Sequence, residues 1–289
     1  MATMRDIRRR IKTVRNIQQI TKALKMVAAA RLQRAESRVR TARPYAEEML
    51  AVMNQLRAAA EGAEIQHPLL EVREPVNIGI VALTSDRGMA GSYNSNVMRK
   101  VLELTRPYEK DHIKLVAVGK KGRLFFSRQN YNIAADFSMP SSEISFVEAR
   151  QISRTIATLF ESREVDVVHL VYTQFYSAIR QRVTDLQLLP LIPPESEEAH
   201  VTHAEEYIFE PRPEILFGDL LPRYLDTQVY RAMLESLASE HGARMTAMSS
   251  ATDNAGEMID KLTLDINRAR QATITKELAE IVGGAEALK

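Results

Sequence analysis

MTAMSSATDNAGEMIDKLTLDINRARQAT, residues 245–273, is the stretch that decides how this chain folds. Alternate steps of three and four pick out Met245, Met248, Thr252, Ala255, Ile259, Leu262, Ile266, Ala269 and Thr273. That spacing predicts a helix carrying one narrow stripe, the seam of a coiled coil. The same steps near the start give Met4, Ile7, Ile11, Val14, Gln18, Thr21, Lys25, Ala28, Leu32, Ala35 and Val39. Two seams at opposite ends predict that the ends pair with each other, leaving the residues between them to form a domain of their own. Gln18, Thr21, Lys25, Thr252 and Thr273 place polar groups where a permanent two-helix core would carry Leu or Ile. Such interruptions weaken the pair and fix its register. The small-residue runs at 28–30 and 247–251 predict a narrow waist where the two backbones approach closely.

Working outward, residues 3–43 contain neither Gly nor Pro, room for ~60 Å of helix at ~1.5 Å per residue. Thr3 can cap its start, and Pro44 is expected to kink or end it. A second periodic piece runs from Tyr45 to about Ala60, and Gly62 to Pro75 reads as a loop. The helical pattern resumes at Pro213, and beyond Pro222 the chain could form ~90 Å of helix. Gly242 and Gly256 interrupt it at a cost of about 1 kcal/mol each relative to Ala.

The middle alternates between strand-like and helix-like runs, the pattern of a Rossmann-like α/β domain with a mostly parallel sheet. Strands are expected at 76–84 (VNIGIVALT), 113–118 (IKLVAV), 165–174 (VDVVHLVYTQ) and 183–191. Helices are expected at 94–104, 122–129 and 143–163, with a Pro- and Glu-rich loop from Pro193 to His203 and a small edge strand at 207–210. The predicted fold class is therefore α/β plus a long antiparallel coiled coil. Its parts are residues 1–61, 76–210 and 213–289, the first and last paired.

Composition narrows the chemistry. The 289 residues suffice for one large or two small domains, and a hydrophobic share of 45% excludes a largely disordered chain. With no Cys there is no disulfide, no thiolate nucleophile and no Cys-ligated metal. The net charge of +2 hides an asymmetry, because residues 1–43 hold 13 Lys and Arg against only Asp6 and Glu36. A basic helix of that kind seeks an acidic surface: nucleic acid, anionic lipid or an acidic protein face. No run approaches the roughly 18 apolar residues of a membrane span. The Arg-rich start lacks an apolar stretch and its heptad runs unbroken into the helix, so it reads as mature sequence rather than a targeting segment.

No catalytic constellation can be assembled. The loop SDRGMAGSYN at 85–94 follows a strand and precedes a helix, the place where α/β proteins bind phosphate. It matches neither GxxxxGK[ST] nor GxGxxG, and GKKGR at 119–123 fails too, so a Gly-dependent turn or a protein contact is the better reading. His200 and His203 beside Glu197 and Glu198 lack HExxH spacing and read as a solvated loop. His169 lies in an apolar strand and reads as packed, and no Ser sits in GxSxG. Three functions remain open on the residues alone: a mechanical coiled-coil subunit, a small α/β enzyme with helical arms, and a basic coiled-coil nucleic-acid binder.

Three segments resemble one family. ITKALKMVAAARLQRAE at 20–36, SDRGMAGSYN at 85–94 and NRARQATITKELAEIVGGAEAL at 267–288 are similar to the gamma subunit of the F-type rotary ATP synthase, in the same order and across essentially the whole chain. The resemblance implies a rotor shaft without a catalytic site, cofactor or metal of its own. It would stand inside a ring of three alpha and three beta subunits, one copy per complex. Its α/β foot, with an epsilon subunit, would rest on a membrane ring of c subunits, with no nucleic acid bound and no membrane insertion. The implied location is peripheral, on the cytoplasmic face of a bacterial cell membrane, or the matrix side of an organelle inner membrane. Met26, Arg244 and Arg87 match positions that face the acidic lever of beta. Arg270, Gln271 and Thr275 match a polar catch that hydrogen-bonds to the ring, and residues 274–288 match an apolar tip held in its bearing. The loop departs from the Cys-Gly-Gly of many members, and the cysteine-bearing insertion of chloroplast members is absent.

Overall fold

The structure, a computed structural model, describes residues 4–59, 67–191 and 213–286. Expectations for Thr3, for most of the loop before Pro68, and for the segment with His200, His203 and the 207–210 strand fall outside these residues. Five α-helices and five strands are formed among them: α1 Met4–Ala59, β1 Ile78–Leu83, α2 Tyr93–Thr105, β2 Ile113–Val118, α3 Lys120–Arg128, β3 Asn132–Phe137, α4 Phe146–Glu161, β4 Val167–Phe175, β5 Gln181–Leu189 and α5 Pro213–Glu286. The chain divides into two compact units, Met1–Ala29 with Arg244–Lys289, and Ala30–Ala243.

The first unit is a pair of helices. The Thr252 hydroxyl donates to the Thr21 hydroxyl at 2.8 Å, which donates in turn to the Gln18 carbonyl at 3.0 Å. Lys25 Nζ donates to Ser249 Oγ at 2.9 Å, and a Cβ at Gly256 would stand 3.2 Å from Gln18 Nε2. Facing residue numbers add to 273 or 274, so the helices run antiparallel. Ile7, Thr21, Ala28, Met248 and Ala255 are buried, and the other heptad positions from Met4 to Val14 and from Ile259 to Ala269 are partly covered. Of the polar seam positions, Thr21 and Thr252 bond to each other across the pair and Lys25 bonds Ser249, contacts that set the register. Lys25 lays its stem along the seam and keeps its ammonium exposed. Thr273, the last of the heptad positions, is exposed.

Pro44 lies inside α1 and does not end it. It lacks the N–H that would bond the Arg40 carbonyl, but Ala46, Met53 and Leu56 in the following turns are buried, and that packing carries the helix on past it. The second unit is built on one sheet of order β3-β2-β1-β4-β5, parallel except for β5, which runs antiparallel to β4. β1 is buried along its whole length, as a central parallel strand must be. Ile80, Ala82, Leu115, Phe126, Val97 and Val101 form the core under α2 and α3. β3 was not expected from the sequence; half-buried Ile133, Ala135 and Phe137 alternate with exposed positions, the weak signature of an edge strand.

α5 is fixed to this sheet where β1 stops. β1 pairs with β4 only as far as Ala82 and Val171. Two residues on, the Thr173 N–H donates to Ser236 Oγ at 3.3 Å and its carbonyl accepts from Ser239 Oγ at 3.1 Å. Both serines are fully buried, so the helix supplies the bonds that the missing strand would have made. Burial, reinforced by the Glu235 carboxylate, pushes the Tyr172 phenol up to about 12, so it stays protonated.

A short strap closes the far side. His67 caps a 3₁₀ turn at Pro68–Leu70, its Nδ1 accepting from the Leu69 N–H at 3.2 Å. The Leu69 carbonyl accepts from the Leu191 N–H at 2.8 Å, and Arg73 stacks on the Phe160 ring at 4.5 Å while bonding the Phe160 carbonyl at 2.8 Å. Nδ1 can accept only when the imidazole is neutral. Burial lowers the His67 pKa below its usual 6.5, against the opposing pull of Glu161. The unfolded chain therefore binds the proton more tightly, and the strap's stability is complete above about 6.5 and lost as pH falls through the lower folded value. Thermal unfolding followed from pH 8 to 5 is expected to show this loss (pH values about the usual histidine range). In His67→Asn, whose side-chain oxygen caps without titrating, the acid loss is expected to shrink; an unchanged profile would remove His67 from the account.

Candidate functional site: the helix pair and the Arg87 loop

Met26 stands on the outer face of the first unit, 61% exposed. It borders a groove of about 620 Å³ lined also by Gln18, Gln19, Lys22, Lys25, Ala29, Thr252 and Asp253. Small side chains help to open it: Ala29 and Thr252 in its lining fill less of the flank than Leu would. Arg8, Lys12 and Arg15 line a second groove of about 520 Å³ with Ile11, Asn16, Gln19, Thr263 and Ile266. All three of those cations are exposed, so much of α1's basic face in this unit points away from its partner helix. Arg244, in the same unit, is half-buried.

Arg270, Gln271 and Thr275 lie off the seam, near the end of the described pair. All three are exposed, and the Thr275 hydroxyl donates back to the Gln271 carbonyl at 2.9 Å. Ile274, Leu278 and Ile281 are 49%, 57% and 69% exposed. Their spacing puts them on one helix face.

In the second unit, Arg87 sits on a loop pinned at several points. The Ser85 N–H donates to Asn94 Oδ1 at 2.9 Å, and the Ser85 hydroxyl donates to the Arg87 carbonyl at 2.6 Å. Asp86 Oδ1 accepts from the Lys120 N–H at 2.9 Å and the Met139 N–H at 3.2 Å. Below it the Thr84 hydroxyl donates to the Val118 carbonyl at 2.9 Å and accepts from the Gly122 N–H at 2.9 Å. Gly91 has φ 56° and Met89 has φ 61°, so the second glycine of the motif supplies a left-handed turn and a methionine is held in one. The result is a rigid platform from which Arg87 and Met89 project into solvent. The side chains of Ser85, Asp86 and Asn94 are engaged in holding the loop and its neighbours.

The structure thus places Met26 and Arg244 on the helix pair, Arg270, Gln271 and Thr275 on α5 near its end, and Arg87 on a structured loop. Sequence reasoning gave Met89 no role, although a non-glycine residue two positions before a turn glycine was its available signal. Among the described residues no three His, Asp or Glu gather as metal ligands, and no helix is long and apolar enough to cross a membrane.

Long terminal helices that pair antiparallel, with a Rossmann-like α/β domain encoded between them, define a class of shaft-like subunits. The family model described as ATP synthase matches residues 3–288. The chain is 50% identical over 293 residues to the ATP synthase gamma chain of Heliobacterium modesticaldum and 48% identical over 289 residues to that of Desulforamulus reducens, covering 100% of both chains in each case. The central stalk of the Tetrahymena thermophila mitochondrial ATP synthase aligns at 27% identity with a TM-score of 0.61, covering 80% of this chain and 99% of that one. A chain of the Euglena gracilis mitochondrial ATP synthase shares the fold, with a TM-score of 0.70 at 21% identity over 99% of this chain and 94% of that one. The chain belongs to the ATP synthase gamma-chain family, and its function is that of a central rotor shaft.

Proposed function

We propose that this shaft couples ion flow across a membrane to ATP synthesis through its lack of threefold symmetry. Two unlike helices, one strongly basic, present a different side to each of three catalytic beta subunits set around them. Each contact biases one subunit among its open and closed states, and coupling needs only that the contact free energies differ between states. Ion flow supplies about 2.3 kcal/mol per charge per 100 mV. The observation that carries this reading is the exposed apolar stripe near the end of α5, with Ile274, Leu278 and Ile281 on one helix face. A free subunit gains nothing from such a stripe; a shaft tip seated in an apolar bearing does.

In this reading residues 1–61 and 213–289 are the shaft, and residues 76–210 are the foot that meets epsilon and the c ring. One copy serves each ring of alpha and beta, peripheral to the membrane on its cytoplasmic face. Catalysis belongs to beta, which agrees with a loop at 85–94 that matches neither GxxxxGK[ST] nor GxGxxG. Met26, Arg87 and Arg244 face the acidic lever of beta, and Arg270, Gln271 and Thr275 form the catch.

Met26→Lys tests it. Lys and Met have similar helix propensity and the site is exposed, so the isolated chain is expected to unfold at the wild-type temperature. In the assembled enzyme the added cation changes the contact with the ring, and ATP synthesis driven by an ion gradient is expected to fall while ATP hydrolysis persists. Unchanged coupling in vesicles would refute the contact.

A further inference from the structure

The apex between β4 and β5 presents the most solvent-exposed large apolar side chain among the described residues: Ile179, 87% exposed. Beside it Tyr176 is also exposed, with the Arg180 guanidinium 5.2 Å from its ring centre. The apex is not loose. The Tyr176 and Ser177 N–H groups both donate to the Arg180 carbonyl, at 3.2 and 3.0 Å, and the Arg180 N–H donates back to the Ser177 carbonyl at 3.2 Å. Its flank lies so close to α5 that a Cβ at Gly242 would stand 2.6 Å from Gln181 Nε2 and 3.1 Å from the Ala178 carbonyl. An isolated apolar side chain on a floppy turn means little; one held out by a braced turn is a displayed group.

β1 and β4 are paired and parallel, so the apex and the Arg87 loop emerge on the same edge of the sheet. The two displays match: Arg87 with Met89, and Arg180 with Ile179, each an exposed cation two residues or fewer from an exposed apolar side chain. The start of α3 lies on that edge too and carries Lys120 and Lys121 in its first turn. Cations there oppose the helix dipole, at about 0.3–1 kcal/mol each, so helix stability does not account for them. Arg182 adds a further exposed cation. The acids on this edge are already engaged: Asp86 by two backbone N–H groups, and Asp136 by Arg123 at 3.7 Å.

We infer that this edge of the sheet is a docking surface for an acidic segment of a ring subunit that also offers an apolar side chain, with Ile179 as the anchor. The inference rests on the rotor reading above and extends the contact beyond Arg87 to a second loop. Positive potential steers the acidic segment to the edge, and the apolar pair gives it a seat. The braced turn holds Ile179 in place before contact, so little ordering entropy is lost on docking.

The chain has no cysteine, so Ile179→Cys creates a single thiol on it. That thiol, labelled with a benzophenone maleimide in the assembled enzyme and irradiated, is expected to form an adduct whose peptide maps to an acidic segment of alpha or beta. Met26→Cys serves as the reference. Adducts from both positions to the ring support the inference. An adduct from Met26→Cys to the ring with none from Ile179→Cys, or with one only to a subunit outside the ring, overturns it and leaves the rotor reading standing. No ring adduct from either position overturns both. In parallel, Arg180→Glu with Arg182→Glu is expected to lower gradient-driven ATP synthesis about two- to fivefold at an unchanged unfolding temperature, and Arg180→Lys to preserve it. Wild-type synthesis in the double variant would contradict the charge component.

Discussion

The double variant Arg270→Ala, Gln271→Ala is expected to assemble poorly into the ring and to lose most gradient-driven ATP synthesis, while the isolated chain unfolds as the wild type does. Both side chains are exposed and lie off the heptad seam. They contribute no seam contact, and Ala is a better helix former than Gln, so the fold has no reason to suffer. Inside the ring the same groups would be desolvated. A hydrogen bond to a charged group then contributes about 1.5–3 kcal/mol, a factor of roughly ten to a hundred or more in an association constant. Co-sedimentation of the ring with the variant reads assembly, and synthesis in vesicles reads coupling. Wild-type values for both would remove the catch from the account.

Gly119→Ala is expected to be the most damaging single change in the α/β domain. Gly119 has φ +96°, a backbone conformation that L side chains rarely adopt, and a Cβ there would lie 2.2 Å from the Thr84 carbonyl oxygen. That oxygen is backbone at the end of β1, so nothing flexible can yield. Relief requires parting β1 from β2, which would also break the Thr84 bonds to Val118 and Gly122 that support the Arg87 loop. Strain and overpacking together point to about 3–5 kcal/mol, or a drop of ~10 °C or more in unfolding temperature. Gly88→Ala is the control on the same edge: its Cβ would meet nothing nearer than the Lys121 side chain at 3.8 Å. Equal stability of the two variants would contradict this picture of the loop's foundation.

The pairing of the chain's ends was legible because period alone reveals a seam, and each half announces it separately. The register was not, since it depends on which polar residues meet: Thr21 with Thr252 and Lys25 with Ser249. Pro44 misled because its local cost is certain while the burial of Met53 and Leu56 that outweighs it is tertiary. β3 escaped because Asn132–Phe137 is only half-covered and lacks a branched apolar run. For the candidate site, residue types gave the cations, but the resemblance gave their roles. Ile179 was hidden, because one Ile between two strand-like runs does not reveal which way a turn will point it.

Rotation tests the central claim most directly. The chain is assembled with an alpha–beta ring fixed to a surface, and a probe is attached through one engineered cysteine in its α/β domain. With ATP supplied, the account predicts that the probe turns in one direction and pauses three times per revolution, once for each catalytic subunit. A probe that stays still, or wanders without direction, while the same ring hydrolyses ATP would contradict it.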